Sequence, residues 1–182
     1  MVVLRRTNKL AKALAVTAPT AAQSDTALGD WYVNRLTADR RPLLLLVSSR
    51  GLLPILLPAR DVRSLPDRLP ALVASRLRDL AIAPRVVQAE VDAMRPVTIG
   101  VTISRSVVGI MVDFAKSVPH YLTRDLPDDE ALRLAEARLA ETPCYAGKRF
   151  EDVVFPNLEA PALLQARWGA GSRTLNARRR SL

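Results

Sequence analysis

The chain has 182 residues and a mass of 20.0 kDa, with 49% hydrophobic and 25% charged residues, the composition of one globular domain and not of a disordered chain. One cysteine rules out an internal disulfide, and a single histidine beside it rules out a His/Cys zinc site. Lysine and arginine total 27 against 18 acids, a net charge of +9, yet the 7 glycines hold no Walker A or dinucleotide fingerprint and 4% aromatics are too few for base-stacking platforms.

Along the chain, Val2 to Arg6 predicts a short first strand, followed by Asn8 as a helix cap with Leu10 and Leu14 one turn apart. Thr17 to Gly29 lacks periodicity and reads as a loop. Trp31 to Leu36, Leu43 to Val47 and Leu53 to Leu57 are strands joined by turns over Ala38 to Arg41 and Ser48 to Gly51. Such close spacing predicts an antiparallel meander, and the leucine run Leu43 to Leu46 predicts a middle strand covered on both faces. Leu69, Leu72, Val73, Leu77 and Leu80 mark one face of a helix, and Pro84 opens a second containing Val87, Val91 and Met94. Val97 to Ile103 alternates as a strand. Ser106 then caps a helix whose stripe is Val107, Ile110, Met111, Phe114 and Val118. Asp128, Asp129 and Glu130 complement the positive end of a helix beginning near Pro127, with Leu132, Ala135 and Leu139 buried. A last helix spans Pro161 to Trp168. The expected fold class is therefore α+β: a small antiparallel meander with additional strand packed against several helices, as a single domain over residues 1 to 166.

The charge is terminal. Residues 1 to 60 hold nine cations and three acids, residues 61 to 166 thirteen and fifteen, and residues 167 to 182 five and none. The closing stretch, with Arg173, Arg178, Arg179 and Arg180, reads as a flexible basic arm, either a phosphate or partner tether or a solvated tail. Two segments imitate other signals. Lys9, Lys12 and the alanines after them resemble a leader, but the apolar stretch before Pro19 is shorter than the roughly 7–15 residues of an export core. Pro42 to Ala59 has the length of a membrane span, but Ser48, Ser49, Arg50 and Gly51 at its centre are turn chemistry. No membrane association is expected, and the localisation read from these features is cytoplasmic.

Catalytic constellations are sparse. Ser117 lies three residues before His120 without a third partner, and a helix-end histidine is the simpler reading. Cys144, after Pro143, reads as an inert thiol despite Lys148 and Arg149 nearby. No catalytic residue, cofactor or metal ligand is assigned. The best candidate site is Ser104 to Asp113. A strand ending before Arg105 and a helix starting at Ser106 would bring free backbone N–H groups and a guanidinium together, an anion-binding geometry. The competing reading is structural: Ser106 caps, Gly109 permits close packing on the sheet, and Arg105 pairs with a nearby acid such as Asp113. Arg40 and Arg41, in the first hairpin turn, are candidates of the same anion- or partner-binding kind.

Three patches resemble a bacterial family of domains of unknown function, serial six-nine-three-three: Leu4 to Lys12, Trp31 to Pro58, and Thr102 to Phe114 followed by Leu139 to Cys144. The resemblance implies a small cytoplasmic protein, or the leading domain of longer proteins with a plasmid Orf-three-like module. It also implies that residues 4 to 12 belong to the mature domain. Ser104 and Val112 stand where the family commonly has asparagine, which puts a polar site at those positions in doubt.

Three functions follow from these features. The first is a non-catalytic cytosolic binding module for a protein partner or anionic ligand, with a mobile-element or toxin–antitoxin association open. The second is electrostatic nucleic-acid binding through the arginine-rich termini. The third is a hydrolase or transferase built on acids and arginines such as Asp113 and Arg105.

Overall fold

A computed structural model describes residues 1–60, 62–123, 125–145 and 153–169. Its strands are β1 (Val2–Arg6), β2 (Trp31–Ala38), β3 (Arg41–Ser48), β4 (Pro54–Pro58), β5 (Val97–Val101), β6 (Cys144–Tyr145) and β7 (Val153–Val154). Its helices are α1 (Leu65–Asp79), α2 (Pro84–Ala93), α3 (Arg105–Tyr121), α4 (Asp128–Ala140) and α5 (Pro156–Trp168). The first five strands form one sheet in the order β4-β3-β2-β1-β5, and β6 pairs with β7 in a separate antiparallel ribbon.

The expected α+β domain is present, and the meander is one part of it. β2, β3 and β4 pair antiparallel as the turn chemistry requires, but β1 runs parallel to both β2 and β5, so the sheet is mixed. A parallel neighbour cannot be joined by a tight turn. The chain instead crosses from β1 to β2 over residues 7–30, where Asn8–Leu10 is a single 3-10 turn in place of the expected helix. It returns from β4 to β5 through α1 and α2.

Strand alternation sorts the core into two layers. Leu4, Trp31, Val33, Leu44, Leu46, Ile55 and Leu57 face α1, α2 and α5, where Leu65, Leu69, Val73 and Leu77 repeat every fourth residue along α1. Tyr32, Leu36, Leu43, Leu45, Val47 and Leu56 face α3 and α4, meeting Met111, Phe114, Ala135 and Leu139. The run Leu43 to Leu46 thus feeds both layers, as its unbroken hydrophobicity predicts.

Both sheet edges are closed, which leaves little unpaired backbone for another strand to join. On β5, the Ile99 carbonyl accepts the N–H groups of Thr17 and Ala18 at 2.9 Å, and the Ile99 N–H donates to Thr17 Oγ1 at 2.9 Å. On β4, the Leu56 N–H donates to Glu136 Oε1 of α4 at 2.7 Å. Glu136 is in turn 3.7 Å from Arg76 Nε of α1, and Arg76 donates to the carbonyls of Pro54 (3.3 Å) and Glu136 (3.1 Å). The buried Arg76 and Glu136 side chains therefore clasp α1 and α4 around the edge of β4.

A second buried polar group closes the other end. Glu90 of α2, fully buried, accepts from the N–H groups of Ala27 (2.8 Å) and Leu28 (3.0 Å) and from Trp168 Nε1 of α5 (2.7 Å). Arg167 donates to Asp25 and lies 4.8 Å over the Trp168 ring. The last turn of α5 is thus fastened to the loop that precedes β2.

Candidate anion-binding site

The two ends of α3 separate the residues that the sequence nominates. At the N-terminus Ser104 is the cap: its Oγ accepts the Val107 N–H at 3.3 Å, and its own N–H donates to Tyr32 Oη at 3.1 Å. This corrects the expectation that Ser106 caps. β5 ends at Val101, earlier than the expected Ile103, and the extended backbone of Ser104 leaves Arg105 as the first helical residue. Arg105 and Ser106 are exposed in that first turn.

The expected packing role of Gly109 is also overturned, since a β-carbon there would meet nothing within 4 Å. Nor do Arg105 and Asp113 pair. Eight residues of helix separate them by roughly 12 Å, and Asp113 instead accepts from Lys116 Nζ at 3.2 Å. Asp113 lies beside a small cleft of about 110 Å³ with Ser117 and Cys144. Burial, with Asp113 nearby, pushes the Cys144 thiol up to about 11, so it stays protonated and unreactive at neutral pH.

Arg40 and Arg41 lie at the far end of α3. β2 pairs with β3 through Ala38↔Arg41, leaving Asp39 and Arg40 as a two-residue turn with φ of 49° and 64°. Both residues are left-handed, the conformation of a type I′ hairpin, whose second position favours glycine. Arginine occupies it here. The register Leu43↔Pro58 carries Arg60 alongside, and the three arginines rim a groove of about 270 Å³ floored by Pro42, Pro58, Leu122 and Leu132. Arg41 Nη1 is 2.7 Å from Asp128 Oδ1 in the first turn of α4. Among the described residues, the guanidinium groups of Arg40 and Arg60 have no hydrogen bond or ion pair and are exposed to solvent.

Arg60 and the apolar floor are absent from the sequence-derived candidates. The signal that could have found Arg60 is the meander itself, because once Leu43 is placed opposite the end of β4, the next cation along the chain must fall beside Arg41. The amino-terminal cations contribute less to the surface than their number suggests. Arg5 is fully buried, and Arg6 Nε donates to the Leu14 carbonyl at 2.7 Å. Arg173, Arg178, Arg179 and Arg180 lie outside the described residues. Among the described residues, no group of His, Cys, Asp and Glu side chains suits a metal ion, and no helix is long and apolar enough to cross a membrane.

Residues 3–159 match the family model described as Domain of unknown function (DUF6933). No curated protein and no solved structure matches the chain. With the match spanning the five-stranded sheet and α1 to α4 and reaching the first turn of α5, the chain belongs to the DUF6933 family of domains of unknown function.

Proposed function

We propose that this chain is a non-catalytic binding module that takes an anionic partner in the groove at the β2–β3 turn. The observation that carries this reading is Arg40. A non-glycine residue in the left-handed region costs on the order of 1 kcal/mol, and sparsely populated backbone conformations concentrate at functional positions. An arginine at a turn position where glycine is favoured is explained by what its side chain does. With Arg60 it provides two uncommitted guanidinium groups, which suit carboxylate or phosphate. The floor of Pro42, Pro58, Leu122 and Leu132 offers an apolar contact beneath them. The favoured ligand joins an anionic group to an apolar body.

The test uses octanoate as the probe, followed by isothermal titration calorimetry on the full chain. Octanoate is expected to bind saturably and octanol at least about tenfold more weakly, the difference that one charge-assisted contact of roughly 1.5–3 kcal/mol supplies. Arg40→Gly is the decisive variant: it relieves the left-handed strain, so thermal stability rises while binding weakens. Binding that survives Arg40→Gly and Arg60→Ala together sinks the reading.

A further inference from the structure

We infer that the groove at the opposite end of α3, where the loop before β2 meets the β3–β4 turn, is a second binding site, for the oxyanion group of a small carboxylate or phosphate compound. This groove has a volume of about 460 Å³, within the range of roughly 300–1,000 Å³ of small-molecule sites. Asp30, Tyr32, Ser49, Arg50 and Ser104 line it.

Two hydroxyls in this lining are already engaged as acceptors, which leaves their protons to give. Tyr32 Oη accepts the Ser104 N–H at 3.1 Å, and Ser49 Oγ accepts the Asp30 N–H at 2.9 Å. A hydroxyl has one proton to give, and in each case a backbone N–H already approaches the oxygen, so the proton is left to point elsewhere. Among the described residues neither proton has an acceptor. The Tyr32 side chain is itself almost wholly buried at 1% exposure, which fixes where its hydroxyl sits. Burial also holds the phenol above its ordinary range, so it remains a donor at physiological pH. Ser49 has room because its neighbour is Gly29, at φ 73°: a β-carbon there would lie 2.4 Å from Ser49 Oγ.

The one acid in the lining does not oppose an anion. Asp30 is tied internally on both carboxylate oxygens: Oδ2 pairs with Arg5 Nε, and Oδ1 accepts from Ser24 N at 3.1 Å and Ser24 Oγ at 2.6 Å. Arg5, fully buried behind it, donates from Nη1 and Nη2 to the carbonyls of Val101 and Ala22. The ion pair is therefore neutral and satisfied. Such a pair is weak evidence for stability, because burying both charges costs about as much as their attraction returns. Its effect here is positional: it sets the loop before β2 as one wall of the groove. What remains unspent is two hydroxyl protons and the Arg50 guanidinium, exposed at the rim and without a side-chain partner among the described residues. The positive end of the α3 dipole at Ser104 adds to them. A set of donors with its acid neutralised selects for an acceptor-rich, negatively charged group.

The experiment is a backbone-amide NMR titration of the full chain, with inorganic phosphate in one arm and acetate in the other, at constant ionic strength. Saturable shifts confined to residues 29–32, 49–51 and 104–107 are expected in at least one arm, and the arm that saturates at lower concentration identifies the oxyanion. Arg50→Gln and Ser49→Ala are each expected to weaken that binding about tenfold or more, as a charge-assisted contact should. Arg50→Gln keeps the test valid if Ser49→Ala disturbs the Asp30 N–H, since the guanidinium has no internal partner to lose. Shifts that rise linearly without saturation, or that are unchanged in Arg50→Gln, overturn the proposal. Shifts confined to residues 39–42 and 58–60 also overturn it and assign the oxyanion to the hairpin groove, whose failure or success octanoate reads separately.

Discussion

Arg5 on β1 stands opposite Gly100 on β5 in the parallel pairing, and the bare Cα of Gly100 is what lets the Arg5 guanidinium cross to the Val101 carbonyl at 3.1 Å. A β-carbon at Gly100 would lie 2.9 Å from Val3 Cγ1 and 3.1 Å from Arg5 Nη1. The glycine is a steric requirement of the buried ion pair, and the pair in turn holds the loop before β2.

Gly100→Ala is therefore expected to destabilise the fold by about 1–3 kcal/mol, the usual cost of overpacking. Gly109→Ala is the internal control. It sits in α3 with nothing within 4 Å of an added β-carbon, so the same chemical change should stabilise by roughly 0.5–1 kcal/mol through helix propensity. Urea unfolding of both variants checks the pair, and equal effects would show that Gly100 does not face Arg5.

These two glycines also mark how far the sequence could be read. The stripe Val107, Ile110, Met111, Phe114 and Val118 is recognisable from spacing alone, and the same spacing places Gly109 roughly 200° away, on the solvent side. A packing role for Gly109 contradicts the periodicity that predicts the helix. Gly100 and Arg5 are different. Their meeting depends on a parallel pairing between segments more than ninety residues apart, and no local pattern encodes which strands adjoin. The turn-linked meander was legible because two-residue and five-residue connections leave antiparallel pairing as the only short solution. The position of β1 between β2 and β5 was not legible, and with it went the Arg5–Asp30 pair and the whole polar groove. Ser104 and Ser106 are the same residue type two positions apart, so the choice of cap was decided by where the backbone leaves β5, at Val101.

Cys144 is expected to be inert in the folded protein. It is buried, its Sγ lies 3.5 Å from the Thr142 carbonyl, and its thiol is raised to about 11 by burial and by the Asp113 carboxylate. At pH 8 the thiolate fraction is then on the order of one part in a thousand, against roughly a quarter for an unperturbed thiol. Iodoacetamide labelling followed by mass spectrometry should proceed at least a hundredfold more slowly in the native protein than in urea. Comparable rates would mean that the thiol is accessible and that the cleft beside Asp113 is open to chemistry.

Glu136 makes the stability of the edge clasp depend on pH. Burial raises its carboxyl from 4.5 to about 7, against the opposing pull of the Leu56 N–H and the Arg76 guanidinium, and burial likewise lowers Arg76 from its ordinary value. Between pH 4.5 and 7 the native state therefore holds a proton at Glu136 that the unfolded chain has released. Stability from this group is fully present below the unfolded value and is lost as pH rises through the folded one, with a slope of at most about 1.4 kcal/mol per pH unit. Urea midpoints measured from pH 4.5 to 8 should fall over that window after the other carboxylates have ionised. Glu136→Gln keeps an oxygen for the Leu56 N–H and removes the titration, so its midpoints should be flatter across the same window than those of the wild type. Parallel profiles for the two proteins would show that Glu136 is ionised throughout and that the clasp is a full ion pair at pH 5.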